Sequence, residues 1–95
     1  MNKNKTFTYN CAFLISKNKG KLLSPLVFEI QTIYGLVNIT LNSNGEAKKK
    51  SYTIDCFFQK PVLLDQAKVI STQITSYSHE VAYIKFKSFL NKILE

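Results

Sequence analysis

Between Tyr34 and Phe58 the chain alternates apolar and polar side chains in two runs, and this pattern limits the fold more than any other stretch. Val37, Ile39 and Leu41 alternate with Asn38, Thr40 and Asn42, and further on Tyr52, Ile54, Cys56 and Phe58 alternate with Ser51, Thr53, Asp55 and Phe57. A period of two marks strands whose successive side chains point to opposite faces. Two such runs joined by a turn read as an antiparallel hairpin, one face for a core and one for solvent. The solvent-facing set is mostly small amides and hydroxyls, and the charge is placed at the turn, in Lys48, Lys49 and Lys50. Uncharged hydrogen-bonding groups framed by ammonium groups suit a surface that lies on nucleic acid.

The 95 residues form one domain, 1–95, with residues 1–5 as a basic lead-in. At 45% hydrophobic and 20% charged, the composition supports a real core rather than a disordered tail. The formal charge of +7 favours phosphate-rich partners over acidic small substrates. Every one of the thirteen basic residues is lysine. Lysine contacts phosphate as a point charge and lacks the guanidinium fork that reads guanine, so backbone binding is better supported than sequence-specific readout. The all-lysine set, with many Asn, Ile, Phe and Tyr, also suggests an A+T-rich gene, as in organelles or low-GC bacteria.

Other elements follow from the same kind of reading. Phe7, Tyr9, Cys11, Phe13 and Ile15 alternate with Thr6, Thr8, Asn10, Ala12 and Leu14, which predicts a long first strand presenting Thr8 and Asn10 outward. Lys17 to Lys21 is a basic turn containing Lys19. Ser24-Pro25 reads as a helix cap with proline at the first helical position, and Gly35 as a stop, which predicts a helix over Pro25 to Tyr34. Pro61 marks a second helix start, with Leu63, Ala67, Ile70 and Ile74 as an apolar stripe running through to Ser76. Tyr77 is a hinge. Ser78 caps a final helix from about His79 to Leu94, with Ala82, Phe86, Phe89 and Ile93 inward. The expected class is α+β, an antiparallel sheet packed on helices in the order β-α-β-β-α-α.

That order, together with T-F-T-Y-N-C-A-F-L-I-S-K-N, L-S-P-L-V-F-E-I-Q-T-I-Y-G-L-V-N-I, S-Y-T-I-D-C-F-F-Q-K-P-V-L-L and S-Y-S-H-E-V-A-Y-I-K-F-K-S-F-L-N-K-I-L, resembles the LAGLIDADG homing endonucleases and maturases. The likeness runs from about Thr6 to Leu94 and implies a half-domain without its signature helix. In the family that helix precedes the long strand and ends in the acidic residue that holds the catalytic metal. Nothing from Met1 to Phe28 is acidic, so no catalytic carboxylate carries over. What the resemblance implies instead is a sheet face on nucleic acid, and a flank, bared by the missing helix, that neighbouring protein subunits cover.

No chemistry suggests an enzyme. Asp55 and Asp65 are the only aspartates, and Glu29, Glu46, Glu80 and Glu95 are scattered, whereas metal-dependent strand cleavage needs clustered oxygen ligands. His79 stands alone beside a helix cap, and Cys11, Cys56 and His79 lack zinc-ligand spacing. The two cysteines read as buried free thiols in a reducing compartment. No apolar run approaches the roughly 20 residues of a membrane span. Membrane association, cofactors and metals are therefore not expected.

The function that joins these readings is a non-catalytic RNA-binding protein, a structural component of an organellar ribosome, mitochondrial ahead of plastid, with rRNA and neighbouring subunits as partners. The residues expected at the RNA are Lys3, Lys5, Thr8, Asn10, Lys17, Lys19, Asn38, Thr40, Asn42, Lys48, Lys49, Lys50, Ser51 and Thr53. The alternatives are the DNA- or RNA-binding half of a split LAGLIDADG endonuclease or maturase, and a small interaction subunit of another complex.

Overall fold

A computed structural model describes residues 3–44 and 50–94. Helix α1 (Lys3–Lys17) leads into five strands, β1 (Lys21–Ser24), β2 (Val27–Thr32), β3 (Gly35–Asn44), β4 (Ser51–Leu64) and β5 (Ala67–Ser76), and helix α2 (His79–Leu94) follows. Each strand pairs antiparallel with its sequence neighbours in the order β1-β2-β3-β4-β5. Both helices cover the same face, where Phe7, Cys11 and Ile15 of α1 and Ala82, Phe86, Leu90 and Ile93 of α2 form one core with Ile30, Val37, Ile39, Leu41, Tyr52, Ile54, Cys56 and Phe58.

The α+β class, the β3–β4 hairpin and helix α2 are as the sequence predicts. Val37 faces Phe58, Ile39 faces Cys56 and Leu41 faces Ile54 across the ladder. At the start of α2 the Val81 N–H donates to the Ser78 hydroxyl (3.3 Å), the capping bond expected of that serine. The element order differs, however: it is α-β-β-β-β-β-α rather than β-α-β-β-α-α.

Three expected elements are replaced. The first strand, Phe7 to Ile15, is helix α1. Phe7, Cys11, Leu14 and Ile15 are buried at helical spacing, whereas Tyr9 and Phe13 are exposed. The alternation in the sequence mixed residues from opposite sides of a helix. The rings of Tyr9 and Phe13, one turn apart, stack with centroids at 6.2 Å.

The helix over Pro25 to Tyr34 is a hairpin arm. Ser24 pairs with Val27 around Pro25-Leu26, and Leu26 has φ of 68°. Proline at the second turn position followed by a left-handed residue is the signature of a type II turn. Proline's fixed φ near −65° serves that turn as well as a helix start, so the cap signal was ambiguous. Gly35, read as a helix stop, instead closes the β2–β3 turn with φ of 98°. The Tyr34 N–H donates to the Thr32 hydroxyl (3.0 Å), which donates to the Gly35 carbonyl (2.8 Å).

The helix over Pro61 to Ser76 is the second half of β4, a turn and β5. Leu64 pairs with Ala67 around Asp65-Gln66, both with positive φ, 49° and 66°. This is the backbone of a type I′ hairpin built without the glycine that usually announces it. Pro61 falls where the β4–β5 register shifts, between Phe57 and Val62, and beyond the last β3 pairing at Phe58. The ladder there has no bond for proline to break. The Asp65 carboxylate meets Lys92 Nζ at 2.7 Å, joining this turn to the far end of α2. The Ile33 N–H donates to the Ile93 carbonyl (3.0 Å) and ties the β2–β3 turn to the same end.

Candidate nucleic-acid interface

With both helices on one face, the register assigns the residues of the other. Directly opposed residues of an antiparallel ladder share a face. One row crosses all five strands: Lys21, Glu29, Asn38, Phe57 and Ser71. A second runs Val27, Thr40, Asp55 and Gln73, and a third Asn42, Thr53 and Thr75. Rows are spaced roughly 7 Å apart along the strands and neighbours within a row roughly 5 Å.

Five expected contact residues, Asn38, Thr40, Asn42, Ser51 and Thr53, therefore share the uncovered face of adjacent strands β3 and β4. Asn38 and Asn42 are exposed and Thr40 and Ser51 half-buried. Thr53 is buried, 7% exposed, with its hydroxyl 3.3 Å from that of Thr75. Thr53 thus braces the β4–β5 ladder more than it faces outward. Lys50 directly precedes β4 at the same end of the sheet.

The other expected contacts are elsewhere. Thr8 and Asn10, expected to point outward from a first strand, are instead carried by α1 in the layer on the opposite side of the sheet, together with Lys5 and Lys17. Lys5 and Thr8 line a shallow depression of about 390 Å³ with Tyr9, Leu26 and Ser43. Lys19 sits in the turn after α1, φ 66°. Lys48, Lys49 and the side chain of Lys3 lie outside the described residues.

Several residues of the open face were missed because they fell in expected helices. Glu29 and Gln31 alternate with buried Phe28, Ile30 and Thr32, and Gln73 and Thr75 alternate with half-buried Thr72, Ile74 and Ser76. The period of two was present in both stretches and was outweighed by the prolines before them. Gln73 Nε2 donates to Asp55 Oδ1 (2.9 Å), so the carboxylate in the middle row is held by an amide and not by a lysine.

Charge is sorted across this surface. The rows above contain two carboxylates, Glu29 and Asp55, and one ammonium, Lys21, on the short outer strand β1. Lys50 directly precedes β4, Lys60 is in its irregular stretch, and Lys68 is on the outer strand β5. The middle of the face is neutral to slightly acidic, and the cations lie at its ends and edges.

Both thiols are buried, Cys11 in α1 against the sheet and Cys56 on the core side of β4, and both are free. Loss of hydration pushes each up to about 12, helped at Cys56 by the neighbouring Asp55 charge, so neither is a nucleophile at neutral pH. His79 packs its ring edge-on to Tyr52, centroids 5.8 Å apart. Among the described residues no three His, Cys, Asp or Glu side chains gather as a metal site, and no helix is long and apolar enough to cross a membrane. No protein-family model, curated protein or solved structure matches the chain.

Proposed function

We propose that the protein is a non-catalytic RNA-binding protein whose open sheet face contacts RNA, and that it serves as a structural component of an organellar, most plainly mitochondrial, ribosome. The observation that carries this reading is the array of Asn38, Thr40, Asn42 and Ser51 on an uncovered face, in a chain of charge +7 in which Lys21, Lys50, Lys60 and Lys68 lie at the ends and edges of the sheet while Lys5, Lys17, Lys85, Lys87 and Lys92 are carried by the helices. Amides and hydroxyls supply short-range hydrogen bonds, and lysines at the ends and edges neutralise phosphates. The reading does not depend on the homing-endonuclease likeness, whose element order the chain does not adopt. Neighbouring protein subunits belong to the same proposal, because Tyr9 and Phe13, 66% and 59% exposed, form an apolar pair on the outer side of α1.

The test has two parts. The tagged protein should comigrate with ribosomal particles when an extract of its own cells is sedimented in low salt; a single light peak would remove the ribosomal placement. For the purified protein, log affinity for RNA should fall linearly with log salt, at about 0.7 per phosphate neutralised on a single strand. Replacing Lys48, Lys49 and Lys50 by Ala should flatten that slope with the fold intact, and an unchanged slope would take those lysines out of the interface.

A further inference from the structure

We infer that the open face reads unpaired bases, with Phe57 as the platform on which a base stacks, so that the ligand is a single strand and not a duplex. This rests on the RNA reading above and adds to it the class of RNA and the residue that selects it.

The first observation is the exposure of Phe57. Phe28, Tyr52 and Phe58, the other strand aromatics, are buried on the core side, whereas Phe57 is 53% exposed on the open face. Its cross-strand neighbours are Asn38 and Ser71, both exposed and small enough to leave the ring standing clear. An uncovered phenyl ring keeps apolar area in water that a stacked partner would remove. A base laid on it buries that area, and every base has a face to offer.

The second observation is the charge pattern. A duplex presents phosphates along both rims of its grooves, so a flat protein face meets phosphate first. Here the face carries Glu29 beside Asn38 and Asp55 beside Thr40, and carboxylates in those rows oppose phosphate there. A single strand can turn its bases onto the sheet and its phosphates outward, toward Lys21 on one edge, Lys68 on the other, Lys50 just before β4 and Lys60 within it. Around the stacked base, Asn38 and Gln73 offer amide groups, and Asp55, already accepting from Gln73, offers a carboxylate to exocyclic amino groups. The same carboxylates that argue against a duplex thus become hydrogen-bond acceptors for unpaired bases.

The chain has no tryptophan, so Phe57→Trp installs a unique reporter at the site. The probes are oligouridylate of about ten nucleotides, within the span of a single-strand site, and a mixed-sequence RNA duplex of similar charge. The single strand should bind at least about tenfold tighter than the duplex, and Phe57→Ala should weaken it by about tenfold, the loss of one base stack, without changing the salt slope. Phe57→Tyr should retain binding, and the fluorescence of Phe57→Trp should be quenched by the single strand and not by the duplex. Circular dichroism of each variant establishes that it is folded. If single strand and duplex bind equally and Phe57→Ala binds as the parent does, the stacking inference falls while the RNA reading stands. If neither RNA binds with a salt-dependent affinity, both fall.

Discussion

Gly20 lies so close to Ile15 that a β-carbon built on the glycine would stand 2.2 Å from Ile15 Cγ2, 2.9 Å from the Ile15 carbonyl oxygen and 3.2 Å from that of Glu29. The contact comes from the way α1 ends. The Lys19 N–H donates to the Ser16 carbonyl and the Gly20 N–H to the Ile15 carbonyl (3.0 and 2.8 Å), with Lys19 left-handed between them, which is a Schellman motif. The helix therefore turns directly onto β2, and the residue at Gly20 must fit between two backbones. Gly20→Ala should lower stability by about 1–3 kcal/mol, the usual range for overpacking, seen as a lower urea midpoint with unchanged slope. An unchanged midpoint would mean that the α1–β1 turn can move aside without cost.

At the opposite hairpin the backbone itself is the constraint. Gln66 holds φ of 66° in the Asp65-Gln66 turn, a conformation that costs a side-chain-bearing residue about 1 kcal/mol and glycine almost nothing. Gln66→Gly should raise the urea midpoint by a gain of roughly 0.5–1 kcal/mol. Since Gln66 is exposed, no packing is lost in exchange.

The buried thiols give the protein an alkaline limit. Cys11 and Cys56 are held at about 12 when folded, against an ordinary value of 9.0. The folded state therefore keeps protons that the unfolded chain releases, and stability present below pH 9 is lost as pH rises toward 12. The loss is on the order of 1.4 kcal/mol per pH unit for each thiol. Thermal midpoints should be insensitive to these groups at pH 6–8 and should fall above pH 9, less steeply in Cys11→Ala and Cys56→Ala. In the native protein at pH 7.5, both thiols should react with a disulfide reagent only as fast as the domain opens.

The parts legible in the sequence are those with a local signal that one structure alone explains. The alternation on either side of the β3–β4 turn and the serine before α2 are of this kind, and with them came Asn38, Thr40 and Asn42 on one face. Helix α1 was hidden by Tyr9 and Phe13, aromatic residues on its exposed side that completed a false period of two. Pro25 and Pro61 misled because a fixed φ fits a turn, a register shift and a first helical turn alike. Asp65-Gln66 gave no warning, since its left-handed pair is imposed by the paired strands and not by glycine. Thr8 and Asn10 left the candidate surface because their element was misread, and Gln73 and Glu29 joined it for the same reason.

The strands follow one another across the sheet, so each could zip onto its predecessor as synthesis proceeds, but the layer that covers them is shared between the earliest helix and the latest. Phe86, Leu90 and Ile93 fill the same cluster as Phe7 and Cys11. A nascent chain stalled before residue 93 leaves the tunnel would hold Ile39, Ile54 and Cys56 half-roofed and wet, a sticky intermediate for chaperones to guard. Completion of this domain is thus a late event, coupled to release of α2 from the translating machine.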